Sequence, residues 1–183
     1  EMALMCARLG LDVWEVIDAA ASKPFGFMPF YPGPGLGGHC IPLDPQYLVY
    51  KARLSGYEPR LVALADQINQ EMPRYAVQKV MDLLNEKGKA LKGAKVLVVG
   101  VAYKADVPDL RESPVLGILE QLVKRGAKVN YTDPHVKSLH LEDGHTMQGV
   151  ALTKKELETS EAILLTTAHS TLDYALLNEF KNK

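Results

Sequence analysis

The chain has only two cysteines in 183 residues, Cys6 and Cys40. They are too few for a disulfide framework and supply too few thiols for a structural zinc site, and their context suits a reducing cytoplasmic setting. No run of about 18 apolar residues occurs, so no segment is a candidate helical membrane span, and no secretory signal opens the chain. Neither sign of charge dominates: the formal net charge is -1. A main partnership with nucleic acid or an anionic membrane is therefore not expected, since both require a basic surface. Repeats and low-complexity tracts are absent. There is also no initiator methionine. Glu1 stands inside an apolar helical pattern (Met2, Leu4, Met5, Leu9), and the chain closes on Asn182-Lys183 just after a predicted helix. Both ends read as cuts, so the chain is expected to be a fragment of a longer protein.

What is present is enough apolar residue, 47%, for an ample core. Residues 1–22 carry helical periodicity broken at Gly10-Leu11-Asp12, with Asp12 placed to cap a second helix and Trp14 expected in the core. Residues 23–39, rich in proline, glycine and aromatics, predict irregular chain. Asp44-Pro45 predicts a helix start with Asp44 as N-cap, running through Lys51 and stopping near Gly56. From Pro59 to Lys87 a long apolar stripe predicts a helix that Pro73 should kink or divide. Such a helix needs a partner surface, and a homodimer through residues 59–87 is one physical explanation; a domain-connecting helix is another.

Beyond Lys92-Gly93 the texture changes. Lys95–Val99, Lys128–Thr132 and Ala162–Thr166 read as buried strands, with a helix capped by Ser113-Pro114 between the first two and a short helix at 153–159 before the third. Strand and helix in alternation predict an α/β fold with a doubly wound, Rossmann-like parallel sheet, whose ligands lie beyond the carboxyl ends of the strands. The expected organisation is a helical module at 1–92 and an α/β module at 93–183.

The segment GPGLGGHCIPLD, Gly33 to Asp44, satisfies G-x-G-x-x-G at Gly33, Gly35 and Gly38. A dinucleotide fingerprint follows a strand and opens a helix. Here proline-rich chain precedes the glycines, and His39, Cys40 and Pro42 follow, so the context rejects a cofactor turn. The α/β module has one glycine, Gly100, after its first strand, which does not supply a fingerprint either. Glycines in this loop could let the main chain pass close to a ligand. A cysteine just ahead of a helix start suits thiolate chemistry on a carbonyl carbon; the plainer reading makes Cys40 a small buried hydrophobe. Asp44 likewise is a helix cap or a catalytic carboxylate. Lys104 and Arg111 flank one strand-to-helix loop, where an arginine and helix amides together suit an anion. The histidines at 135, 140 and 145 show no ligand spacing, so no metal is expected, and His169 reads as a structural hydrogen bonder.

Three motifs resemble one family. Gly35-Leu-Gly-Gly-His-Cys-Ile-Pro-Leu-Asp44 is similar to the catalytic cysteine loop of the UDP-glucose/GDP-mannose dehydrogenases. Gly100-Val-Ala-Tyr-Lys through Asp109-Leu-Arg-Glu-Ser113 resembles that family's G-x-A-[FY]-K-x-x-x-x-D-x-R-E-S motif, and Tyr131-Thr-Asp-Pro134 its Y-D-P strand end. The run Lys23–Arg53 looks most like the UDP-N-acetylglucosamine 6-dehydrogenase branch. The resemblance covers essentially the whole chain. It implies a three-part enzyme whose NAD-binding domain and catalytic lysine and asparagine lie upstream of Glu1. It also implies a four-electron oxidation of a sugar C6 hydroxyl to a carboxylate with two NAD+. The aldehyde is captured by a cysteine as a thiohemiacetal, oxidised to a thioester and released by water. On that resemblance Cys40 is the nucleophile and Asp44 assists water or proton transfer. Tyr31, Gly33, Gly35, Leu36 and Gly37 lie along the UDP-sugar, Tyr103 and Lys104 contact it, and Arg111 reaches the NAD. Lys23-Pro-Phe-Gly-Phe stands where several members carry an arginine toward a neighbouring subunit, and His39 replaces a small residue of some relatives. UDP-N-acetylmannosamine or another nucleotide sugar is the alternative substrate. For residues 1–183 alone, a UDP-sugar-binding and dimerisation module without turnover is the expectation.

Overall fold

The computed structural model describes residues 1–183, which form two compact units, Glu1–Gly33 and Pro34–Lys183. The first unit holds α1 (Met2–Leu9) and α2 (Val13–Ala21). Gly10 ends α1 in the left-handed region (φ 70°), where glycine pays no Cβ penalty, and the Asp12 side chain caps α2 by accepting from Trp14 N–H at 2.8 Å. Trp14 is not core as expected: it is 50% exposed and stacks on Tyr31, ring centroids 5.2 Å apart. Helical periodicity alone does not reveal which face of a short helix pair is covered.

The second unit opens with the cysteine loop and α3 (Asp44–Leu54), then α4 (Arg60–Glu86). Asp44 is the first helical residue of α3 rather than its cap, and Leu43 occupies the N-cap position without a side-chain bond. α4 is neither ended nor divided at Pro73 but continues through it for 27 residues. Proline at 73 removes the N–H that would bond the Asn69 carbonyl. That carbonyl lies beside Gly35, where a Cβ would come within 3.3 Å of it.

The α/β core follows: β1 (Lys95–Val99), α5 (Pro114–Lys124), β2 (Lys128–Thr132), β3 (Ser138–His140), β4 (Thr146–Gln148), α6 (Lys154–Thr159), β5 (Ala162–Leu165) and α7 (Tyr174–Asn178). β1 is central, parallel to β2 on one side and to β5 on the other, with Val96 opposite both Val129 and Ala162. The antiparallel hairpin β3–β4 forms a separate two-stranded sheet. Alternation along β1 divides the core between two faces. Val96 and Val98 join Val77, Val80 and Leu84 of α4 and Val115, Ile118, Leu119 and Leu122 of α5. Leu97 and Val99 meet Leu157 of α6, Leu172 and, at the edge, Leu176 of α7. The carboxyl half of α4 is thus built into the same core as the sheet. With helices on both faces and chain direction reversing about β1, the crevice for ligands falls at the carboxyl ends of β1 and β5.

Candidate active site

Two loops meet in the second unit. One is the cysteine loop, residues 34–43, and the other is the β1–α5 loop, residues 100–113. Gly38 N–H donates to the Arg111 carbonyl at 3.0 Å. A Cβ on Gly37 would lie 2.6 Å from Tyr103 Cβ and 2.8 Å from the Glu112 carbonyl oxygen. At Gly38 (φ 94°) it would meet the Tyr103 ring at 2.9 Å, and at Gly35 the Pro114 Cβ at 2.8 Å. These distances are below what real side chains tolerate, so glycine is required for the loops to touch. The neighbours that Gly37 and Gly38 accommodate are therefore in the second loop, and that of Gly35 is the first residue of α5.

Cys40 is exposed, which removes the reading of it as a buried hydrophobe; the other thiol, Cys6, is buried. The Cys40 carbonyl accepts from Leu43 N–H at 3.1 Å and Asp44 N–H at 2.8 Å, so a tight turn carries the thiol to the start of α3. Asp44 is exposed in the first turn of that helix, where a carboxylate complements the positive end of the dipole. Leu36 lines a cleft of about 550 Å³ between the cysteine loop, α4, the α5 start and the β3–β4 hairpin. Asp66, Glu112, Glu120 and Glu142 border that cleft and no lysine or arginine does, so it repels a diphosphate rather than holding one.

On the β1–α5 loop, Ser113 caps α5, and its buried hydroxyl donates to the Val101 carbonyl at 2.8 Å, closing the loop on its own beginning. Tyr103 N–H donates to the Asp109 carbonyl at 3.0 Å. Tyr103 is half-buried under Gly37 and Gly38, while Lys104 is exposed. Arg111 is exposed and gripped by Asp109, with Nε at 3.0 Å from both carboxylate oxygens and Nη2 at 2.6 Å from one. Those guanidinium bonds are the main reason the Asp109 carboxyl falls to about 2. A carboxylate depressed in the fold stabilises it above the ordinary value near 4, and the contribution is lost as pH falls through about 2. A side-chain NMR titration of Asp109 should accordingly show a midpoint near 2, and a midpoint near 4 would disprove the paired geometry.

The base of this loop is tied to the segment after β5. Thr167 Oγ1 donates to the Ala102 carbonyl at 2.6 Å, and Thr166 Oγ1 donates to the Gly100 carbonyl. Asp106, His135 and His169 gather there, their potential ligand atoms within 4.8 Å of one another, an association the sequence did not suggest. His169 has both ring nitrogens engaged, Nδ1 with Asp106 N–H and Nε2 with Asp133, as a structural hydrogen bonder does. Burial pushes the Asp133 carboxyl up, but the amides of Val101, His135 and Ala102, with His169, outweigh it and hold it below the usual range.

Tyr31 and Gly33 belong to the first unit. Tyr31 donates its hydroxyl to Asp18 Oδ1 at 2.7 Å, and that carboxylate raises the phenol above its ordinary value.

Residues 1–71 match the central domain of the UDP-glucose/GDP-mannose dehydrogenase family, and residues 97–183 match its UDP-binding domain. The chain belongs to this family. A UDP-N-acetyl-D-glucosamine 6-dehydrogenase of Pseudomonas aeruginosa is 34% identical across all of this chain and 40% of its own length. A UDP-N-acetyl-D-mannosamine dehydrogenase of Campylobacter jejuni is 35% identical over 78% of this chain and 33% of its own. Among solved structures, a UDP-D-ManNAc dehydrogenase from Pyrococcus horikoshii superposes with a TM-score of 0.82 at 28% identity, covering 97% of this chain and 40% of that one. The chain thus spans about 40% of the length of such relatives. The fold is the family's α/β architecture, and no helix is long and apolar enough to cross a membrane.

The turn that follows β1 does not fit the pyrophosphate of NAD. The Val101 and Ala102 amides are already given to the Asp133 carboxylate, and the space beside Gly100 is filled by Thr167.

Proposed function

We propose that the whole protein is a nucleotide-sugar 6-dehydrogenase acting on UDP-N-acetylglucosamine in the cytoplasm and forming a uronate for surface polysaccharide. The observation that supports this most is the docking of the exposed Cys40 loop on the Tyr103–Lys104 loop. It joins a nucleophile to a cation-bearing loop at the carboxyl end of β1. In this reading Cys40 Sγ adds to the C6 aldehyde, forming a C–S bond, and the later thioester is opened by water with Asp44 handling the proton. Tyr103 and Lys104 hold the nucleotide, with Lys104, which makes no ion pair, as phosphate counter-charge. Tyr31, Gly33, Gly35, Leu36 and Gly37 follow the sugar. Arg111 would reach toward an NAD held chiefly outside residues 1–183, which would supply hydride acceptance when bound.

Residues 1–92 carry the thiol and a homodimer surface on α4, whose Leu61 and Leu64 are exposed; residues 93–183 bind the UDP-sugar. Residues 1–183 alone would bind and self-associate without turnover. Relatives named for UDP-N-acetyl-D-mannosamine favour that sugar as a second reading. A panel of UDP-sugars varied at C2 and C4, assayed on the whole protein with NAD+, separates the two. The highest kcat/KM is expected for UDP-N-acetylglucosamine. Preference for the manno epimer would select the second reading, and no oxidation of any sugar would overturn both.

A further inference from the structure

The Asp133 carboxylate, fully buried, divides its two oxygens between different tasks. Oδ1 accepts from His135 N–H at 2.8 Å and Val136 N–H at 3.1 Å, which is the ordinary work of an aspartate shaping its own turn. Oδ2 reaches across to the β1–α5 loop and accepts from Val101 N–H at 2.7 Å and Ala102 N–H at 3.2 Å. The same oxygen pairs with His169 Nε2 at 2.9 Å. His169 is wholly buried, and its Nδ1 accepts from Asp106 N–H at 2.9 Å, so the ring proton sits on Nε2 and points at Asp133. Asp106 holds a left-handed backbone (φ 62°), and its own carboxylate accepts from Ser170 N–H at 2.8 Å, tying it a second time to the segment after β5.

These bonds form one chain that starts on the loop at residues 101–102, leaves it through Asp133 and His169, and returns to it at residue 106. Tyr103 and Lys104 lie between the two anchor points. We infer that Asp133 and His169 are positioning residues, a buried bracket that fixes the Tyr103–Lys104 segment in the shape that receives the UDP diphosphate; the ligand half of this inference rests on the function proposed above. A turn alone accounts for the Oδ1 bonds. It does not account for a second oxygen shared by two loop amides and a buried imidazole.

Asp133→Asn separates the two tasks. Its carbonyl can keep serving His135 and Val136, while its NH2 faces the Val101 and Ala102 donors and repels them. His169→Phe removes both links of the ring; His169→Gln places an amide donor near the Nε2 position. The 183-residue chain and these variants would be followed by amide hydrogen exchange and by calorimetric titration with UDP. In Asp133→Asn and His169→Phe, exchange at Val101, Ala102 and Asp106 is expected to rise at least about tenfold while Leu97–Val99 stay protected. UDP affinity is expected to fall about tenfold, with His169→Gln closer to the parent. Unchanged exchange at those three amides overturns the inference. So does undiminished UDP binding in variants whose loop amides have opened, or protection lost throughout β1, which would mark the pair as general supports of the sheet. If the parent chain fails to bind UDP, the reading of residues 93–183 as a UDP-sugar-binding module in isolation is lost, and the bracket is still judged by the exchange of the three loop amides.

Discussion

Replacing Cys40 with serine in the whole protein is expected to stop net formation of the sugar acid, lowering its rate by at least about a thousandfold, or ~4 kcal/mol on the barrier. Serine keeps the shape of the turn, whose hydrogen bonds run through the Cys40 carbonyl and not its side chain. What is lost is the thiolate: a hydroxyl has far too small an ionised fraction to add to an aldehyde and to leave again as a good leaving group. Cys40 is exposed at the end of a loop held against Tyr103, so nothing in its packing needs sulfur. The result should therefore be a protein as stable as the parent that binds UDP-sugar normally. Product quantification with the preferred UDP-sugar and NAD+ checks it. Uronate output equal to the parent's would refute the assignment of Cys40 as nucleophile.

Gly100→Ala should be the most destabilising single methyl in the second unit. Gly100 has φ 81°, a region that costs an L-residue roughly 1–2 kcal/mol. The added carbon would also overlap the Thr167 carbonyl oxygen and come within 2.7 Å of Thr167 Cβ. Neither neighbour is a flexible side-chain tip: both are fixed by the bonds that Thr166 and Thr167 make to the Gly100 and Ala102 carbonyls. Forcing them apart adds about 1–3 kcal/mol, for a total of about 2–5 kcal/mol. In a unit of this size that lowers Tm by roughly 10 °C. Differential scanning calorimetry against Gly88→Ala makes the comparison direct. Gly88 also has positive φ but nothing within 4 Å of its would-be Cβ. Equal shifts in the two variants would show that close packing at Gly100 contributes nothing.

How legible this molecule is from its residues varies element by element. The three parallel strands and α5 announce themselves, because buried Val-rich runs and a Ser-Pro helix start depend only on local sequence. The β3–β4 hairpin does not. Each strand has three residues, Ser-Leu-His and Thr-Met-Gln, and only Leu139 and Met147 face inward, too few to form a period. α4 survives Pro73 because its carboxyl half is packed into the sheet's core, a tertiary term that no propensity anticipates. At the site, the motifs identify which loops matter but not what each glycine is for. Nothing local to Gly37 says that its neighbour is Tyr103. Likewise Asp133 reads as part of a strand-end motif and His169 as a structural hydrogen bonder, and only the fold reveals that they bond to each other.

The contact of Gly35, Gly37 and Gly38 with Tyr103 and Pro114 also bears on how this protein can change over time. A side chain at Gly38 would meet only the ring of Tyr103, an overlap that a smaller residue at 103 relieves, so the two positions constrain each other although 65 residues separate them. Their substitutions should be epistatic, each harmful alone and partly compensated together. The same dependence limits transplantation. A cysteine loop grafted onto another scaffold would arrive without the aromatic wall that shapes it, and swapping substrate loops between relatives should succeed only when both segments travel as a pair.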